Sequence, residues 1–243
     1  MVAGEAVVAK KDLSKFRNDA KSHDLQRFFQ TGPGQYGEGD LFLGVSVPQI
    51  RMVAKIHSEM PLVEVEKLLE SKYHEERFCA LVILTNQFKS SENKMYRKRI
   101  YDFYVQKIKS GRVNNWDLID VPGSQIAGHL LTIDNPLEVL RKYAKSKNLW
   151  LRRAAIIFTF PFIREGDMNI TLAISKDLLK DSHDLIHKAT GWALREVGKK
   201  DIVVLRSFLH NHAKDMPRTM LRYAIEKLPT QERKRWLLLS KDG

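Results

Sequence analysis

Four stretches of this chain set a small residue at the centre of an apolar helical pattern, and they recur at a regular interval. They are EERFCALVILTNQF (75–88), WLRRAAIIFTFPFI (150–163), DLIHKATGWALREV (184–197) and TMLRYAIEKLP (219–229). Their central residues, Ala80, Ala154, Ala189 and Ala224, stand 74, 35 and 35 residues apart. The first gap is about two periods, so a further member falls near residue 117. A helix pair repeating at this period cannot bury its apolar face alone and must stack on its neighbours. The pattern predicts an all-α chain, an α-solenoid of helix pairs of the HEAT or armadillo kind. The alanines let successive helices approach closely.

Helical periodicity extends beyond these four stretches. LVEVEKLLE (62–70), PLEVLRKYAK (136–145) and DIVVLRSFLH (201–210) alternate apolar and charged residues with a period near 3.6. Pro48, Pro61, Pro136, Pro217 and Pro229 stand at the heads of such segments, where a missing N–H costs little. No Asn-Gly or Asp-Gly turn separates alternating strands. The stretch TGPGQYGEGD (31–40), with four glycines and a proline, reads as a loop joining two N-terminal helices. It carries no Walker or dinucleotide fingerprint. Residues 1–10 are read as a disordered tail, and 11–243 as a single repeat domain.

Charge points to the kind of partner. Lysine and arginine total 41 against 29 acids, a formal charge of +12, which favours polyanions. Arg152, Arg153, Lys188, Arg195 and Arg222 fall on the second helices of successive repeats. In a solenoid those helices line the inner face, so a concave basic groove suited to a rod of phosphates is expected. No apolar run reaches the roughly 18 to 20 residues of a membrane span, and no signal peptide is read at the start. The lone cysteine, Cys79, lies in the apolar run RFCALVIL and reads as a buried residue in a reducing compartment.

The familiar catalytic patterns are absent. There is no H-E-x-x-H, C-x-x-C or G-x-S-x-G, and the eight histidines are dispersed without a metal-ligand spacing. HEER (74–77) reads as helix capping and surface charge. What remains is an aromatic, a carboxylate and nearby bases. In VNNWDLIDVPG (113–123), Trp116 and Asp120 stand at i and i+4 and share a helix face. Trp192 lies on another second helix, near Lys188 and Arg195. A tryptophan in a helical repeat also serves as core, and Asp120, two residues before Pro122, also suits a helix end or a cap. Asp117 suits a cap, a core hydrogen-bonder or an accessory acid, and a structural role is preferred.

These residues resemble the AlkD-type DNA alkylation repair glycosylases, HEAT-like proteins of bacteria. The likeness runs from RFF (27–29) and LFLGVSVPQIRMVAK (41–55) through NNWDLIDVPG, NLWLRRAAIIF and LIHKATGWALREV. The resemblance implies that Trp116 and Asp120 are the site tryptophan and the catalytic aspartate. It makes Trp192 the second tryptophan, packed against the sugar of the lesion nucleotide. Arg153 then holds a DNA phosphate, Phe28 is an aromatic that touches DNA, and Arg195 and Lys188 are bases of the groove. Arg152 and Arg222 join the DNA-binding set by their place in the repeats. Asp184 and Leu185 stand where family members can carry two phenylalanines, and Asn115 replaces an aromatic before Trp116.

The implied activity is monofunctional release of cationic N3- or N7-alkylated purines, such as 3-methyladenine and 7-methylguanine, without a base-flipping pocket. Its chemistry suits these residue types. An alkylated purine is already a cationic leaving group, so one carboxylate can suffice where ordinary sugar hydrolysis uses two. As the C–N bond stretches, the deoxyribose turns positive. An indole face then contributes about 0.5 to 2 kcal/mol. A carboxylate about 4 Å away, at an effective dielectric near 20, contributes roughly 4 kcal/mol. That is on the order of a thousandfold in rate, so the charge outweighs the aromatic contribution. The expected partner is double-stranded DNA bearing alkylated purines, met by a monomer in the bacterial cytoplasm, with no cofactor, metal or membrane. The alternative is a non-catalytic HEAT-like nucleic-acid-binding module.

Overall fold

The computed structural model describes residues 4–239 and divides the chain into two compact units, residues 1–126 and 127–243. The first unit holds seven helices among the described residues. They are α1 (Glu5–Ser14), α2 (Asp19–Phe28), α3 (Val47–Ile56), α4 (Leu62–Leu69), α5 (His74–Ser90), α6 (Lys94–Lys109) and α7 (Trp116–Ile126). The second opens with a 3-10 turn (Ala127–Thr132). It continues with α8 (Pro136–Ala144), α9 (Leu149–Ile157), α10 (Phe160–Glu165), α11 (Asn169–Asp177), α12 (Asp184–Lys200), α13 (Ile202–His212), α14 (Arg218–Ala224) and α15 (Thr230–Leu239). Extended structure among the described residues is one isolated bridge, Leu41 to Tyr73. No helix there is long and apolar enough to cross a membrane.

The helices pair and stack as the repeat predicts. In the second unit α8 packs on α9, α11 on α12 and α13 on α12, while α9, α12 and α14 pack on one another in succession. In the first unit α3 and α4 pack on α5, and α5 on α7. Ala80, Ala154, Ala189 and Ala224 lie at the centres of α5, α9, α12 and the end of α14, and all four are buried. The fifth member, expected near residue 117, is α7. Gly191 marks a close approach of α12 to α14: a Cβ there would lie 2.4 Å from the Met220 carbonyl oxygen. Pro136 begins α8, Pro48 is the second residue of α3, and Pro61, Pro217 and Pro229 immediately precede α4, α14 and α15, as their missing N–H favours.

Three expectations need correction. The tail expected over residues 1–10 is largely helix, because α1 starts at Glu5. Its Ala6 amide donates to Glu64 at 2.9 Å, Lys10 pairs with Glu76 at 3.4 Å, and Ala6 and Ala9 are buried. Residues 1–3 lie outside the described residues. Second, HEER is not surface charge. His74, Glu75, Glu76 and Arg77 are all buried, because α5 is enclosed on every side along most of its length. Third, the alternative reading of Asp120 as a helix end or cap before Pro122 does not hold, because Pro122 lies inside α7. Cys79 is buried as expected, and burial, followed by the nearby Glu76, pushes its thiol up to about 12.

Candidate functional site

The expected site residues fall into two groups, one in each unit. In the first unit α7 begins at Trp116. The buried Asn115 accepts the Trp116 amide on its side-chain oxygen at 2.8 Å and donates to Asp40 at 3.5 Å. One turn on, Asp120 keeps 9% of its exposure, while Trp116 is half-buried. The two share a face of α7 by their spacing.

A proline inside a helix removes one hydrogen bond and leaves a carbonyl four residues back without its usual donor. For Pro122 that carbonyl belongs to Leu118. The Tyr104 hydroxyl, fully buried on α6, donates to it at 2.8 Å and to the Ile119 carbonyl at 3.3 Å. α7 therefore runs unbroken past Asp120. Burial pushes the Tyr104 hydroxyl well above the usual phenol range, and the Asp120 and Asp117 carboxylates add to it. Tyr104 thus stays protonated and keeps donating.

Trp116 is held from behind by rings. Phe29 stacks on it at 5.4 Å, and Phe42 stacks on Phe29 at 5.2 Å. Phe28, 63% exposed at the end of α2, meets Trp116 edge-on at 6.0 Å. Beneath this stack lies His74, whose ring packs on Phe42 and Phe29, both at 4.8 Å. Its Nε2 lies 2.8 Å from Asp117 and its Nδ1 3.2 Å from Asp40. Burial would push His74 down, but the Asp117 charge and the hydrogen bonds to Asp117 and Asp40 carry it up to about 9, against Arg77. Burial likewise raises Asp40, yet hydrogen bonds and charge from His74 and Arg77 leave it below the ordinary value. Arg77 donates to Asp40 at 2.7 Å, Asn114 at 3.2 Å and the Ser71 carbonyl at 3.1 Å. Glu75 accepts the amides of Leu43, Gly44 and Val45. The first turn of α5 therefore anchors both the strap 40–45 and the start of α7. Asp117 is tied into this network and also accepts the Leu118 amide at 2.9 Å, which gives it a structural role.

In the second unit Trp192 lies on α12. Phe160 packs edge-on to it at 4.7 Å, and its indole N–H donates to Glu196 at 3.1 Å. Arg153, on α9 and buried, donates to the Leu185 carbonyl at the head of α12. Leu185 is itself buried, and its neighbour Asp184 pairs with Lys188 at 2.7 Å. Arg152 pairs with Asp181 at 2.6 Å and donates to the Ser146 and Lys147 carbonyls, both at 3.1 Å. Arg195 pairs with Glu226, while its Nε is buried without a hydrogen bond. Arg222 is exposed on α14. The bases expected on second helices thus all lie there, some engaged within the fold and Arg222 open to solvent. Among the described residues no cluster of three His, Cys, Asp or Glu side chains is disposed to hold a metal ion.

Sequence reasoning missed His74, Arg77, Asp40 and Tyr104. A signal for the first two was present: four charged residues opening a helix that continues as RFCALVIL, with His74 and Arg77 three apart on one face.

The family profile described as DNA alkylation repair enzyme matches residues 9–228. Among solved structures, a predicted DNA alkylation repair enzyme from Enterococcus faecalis aligns with a TM-score of 0.68 at 14% identity, covering 88% of this chain and 97% of that one. AlkD2 from Streptococcus mutans aligns with a TM-score of 0.50 at 18% identity, covering 97% and 95%. At those identities the likeness shows a shared fold. No curated protein matches the chain. With a profile match over most of its length and helix pairs of the HEAT-like kind, the chain belongs to the AlkD-type DNA alkylation repair enzyme family.

Proposed function

We propose that the protein is a monofunctional DNA glycosylase that hydrolyses the N-glycosidic bond of cationic N3- and N7-alkylated purines in double-stranded DNA. The observation that carries this reading is Asp120 one turn beyond Trp116 on α7, with the helix kept continuous by Tyr104. A carboxylate with 9% exposure is poorly screened, so its field on a sugar turning positive exceeds that of a solvated acid. It is also suited to orient a water toward the anomeric carbon. Trp116, stiffened by Phe29, supplies an indole face to the same charge. On this reading Trp192 contacts the sugar of the lesion nucleotide, and Phe28 touches DNA. Arg153, Arg152, Lys188, Arg195 and Arg222 attract the phosphates.

Selectivity then follows from the leaving group: a neutral purine departs too slowly, and a cationic one departs without protonation by an acid. The chain has a formal charge of +12, which suits DNA as partner. The test is incubation of the purified protein with N-methylated duplex DNA, followed by identification of the free bases. Release of 3-methyladenine or 7-methylguanine supports the reading. Normal, salt-sensitive DNA binding with no released base points to the non-catalytic binding module instead.

A further inference from the structure

His74 is buried, with a carboxylate at each ring nitrogen: Asp117 at 2.8 Å and Asp40 at 3.2 Å. A neutral imidazole has one N–H, so it satisfies only one of them and turns a lone pair toward the other. An imidazolium donates to both. We propose that His74 is a positioning residue: as an imidazolium it joins the strap at Asp40 to the first turn of α7 at Asp117, and so fixes Trp116 and, one turn on, Asp120. The inference rests on the glycosylase reading of those two residues.

The geometry shows what the clamp holds. Asp117 follows Trp116 directly, and Asp40 also receives Arg77 and the side chain of Asn115, the residue that caps the Trp116 amide. The His74 ring itself packs on Phe29, which stacks on Trp116. Loss of one proton leaves two carboxylates and one guanidinium in a buried site, where an unpaired charge is costly. The groups facing the ring are Asp117 from α7, Asp40 from the strap and Arg77 from its own helix. The two acids outweigh Arg77 and hold the imidazolium up to about pH 9.

The experiment is single-turnover base release from N-methylated DNA between pH 6.5 and 10, corrected for spontaneous loss without protein. Wild type should hold its rate to about pH 9 and then fall by about tenfold per pH unit. His74→Gln should release base at least about tenfold more slowly at pH 7, bind DNA within about twofold of wild type, and lose the alkaline fall. Asp117→Asn keeps an acceptor for Nε2 but removes the charge, so the fall should move to lower pH; this variant decides if His74→Gln does not fold. A folded His74→Gln with wild-type rate and the same alkaline fall overturns the proposal, as does an unmoved fall in Asp117→Asn. A readout independent of activity is the Trp116 indole NMR signal, assigned with Trp116→Phe. It should titrate together with the His74 ring signal, and an indole signal flat through that midpoint overturns the proposal. Absence of base release from wild type would sink the glycosylase reading alone and leave the NMR test standing.

Discussion

The hydroxyl of Tyr104 donates to the Leu118 carbonyl at 2.8 Å, the acceptor that Pro122 leaves without a donor inside α7. A proline and a buried phenol on separate helices thus act together to carry α7 past Asp120. Tyr104→Phe should therefore destabilise the fold by about 1 to 3 kcal/mol, the usual cost of a buried acceptor left unmade. Base release should fall by more than DNA affinity does. Chemical denaturation and single-turnover kinetics check both parts.

His74 makes stability depend on pH with a definite sign. Its value is raised on folding from an ordinary 6.5 to about 9. A raised value means that the folded state binds the proton more tightly, so the contribution is complete below pH about 6.5. It shrinks as pH rises and is gone above about 9. Its size is on the order of 3 kcal/mol. Wild type should exceed His74→Gln in unfolding free energy most at pH 6, and the difference should narrow by pH 9.5. A difference that widens with pH would contradict the assignment of the imidazolium.

Two neighbouring kinds of arginine should separate in their effects. Arg222 is exposed, so Arg222→Ala should weaken DNA binding about equally for damaged and intact DNA. It should lower the slope of log affinity against log salt by about 0.9, the value for one phosphate contact. Arg152 is engaged by Asp181 and two carbonyls, so Arg152→Ala should show first as lost stability. Salt titrations beside thermal melts distinguish the two.

Gly191→Ala should destabilise the second unit by about 1 to 3 kcal/mol. The added methyl would lie 2.4 Å from a backbone carbonyl oxygen of α14, and backbone yields less readily than a side-chain tip. Differential scanning calorimetry measures it directly.

Much of the architecture was legible in the spacing of four alanines, because a small residue at each helix contact is a local, repeated requirement. The prolines that open α3, α4, α8, α14 and α15 were legible for the same reason. Pro122 left a helix end or cap open at Asp120, because tolerance of a proline inside α7 depends on Tyr104, eighteen positions earlier and on another helix. HEER misled because charge usually marks a surface. Its burial depends on partners at Asp40, Leu43–Val45 and Asp117, which no local pattern connects. Trp116 and Asp120 were readable as a pair by spacing and by resemblance. The ring stack behind Trp116 was not, since Phe29 and Phe42 reach it across a glycine-rich loop.

On the proposed function, the Asp120 carboxylate stabilises a sugar that becomes cationic as the alkylated base departs. Asp120→Asn keeps the shape of the side chain and removes its charge. Single-turnover release of 3-methyladenine or 7-methylguanine should fall by about a thousandfold, while DNA affinity, measured in parallel, stays level or rises because a negative charge that repels phosphate has gone. A folded Asp120→Asn protein that releases these bases at the wild-type rate would rule out the carboxylate as the stabilising charge.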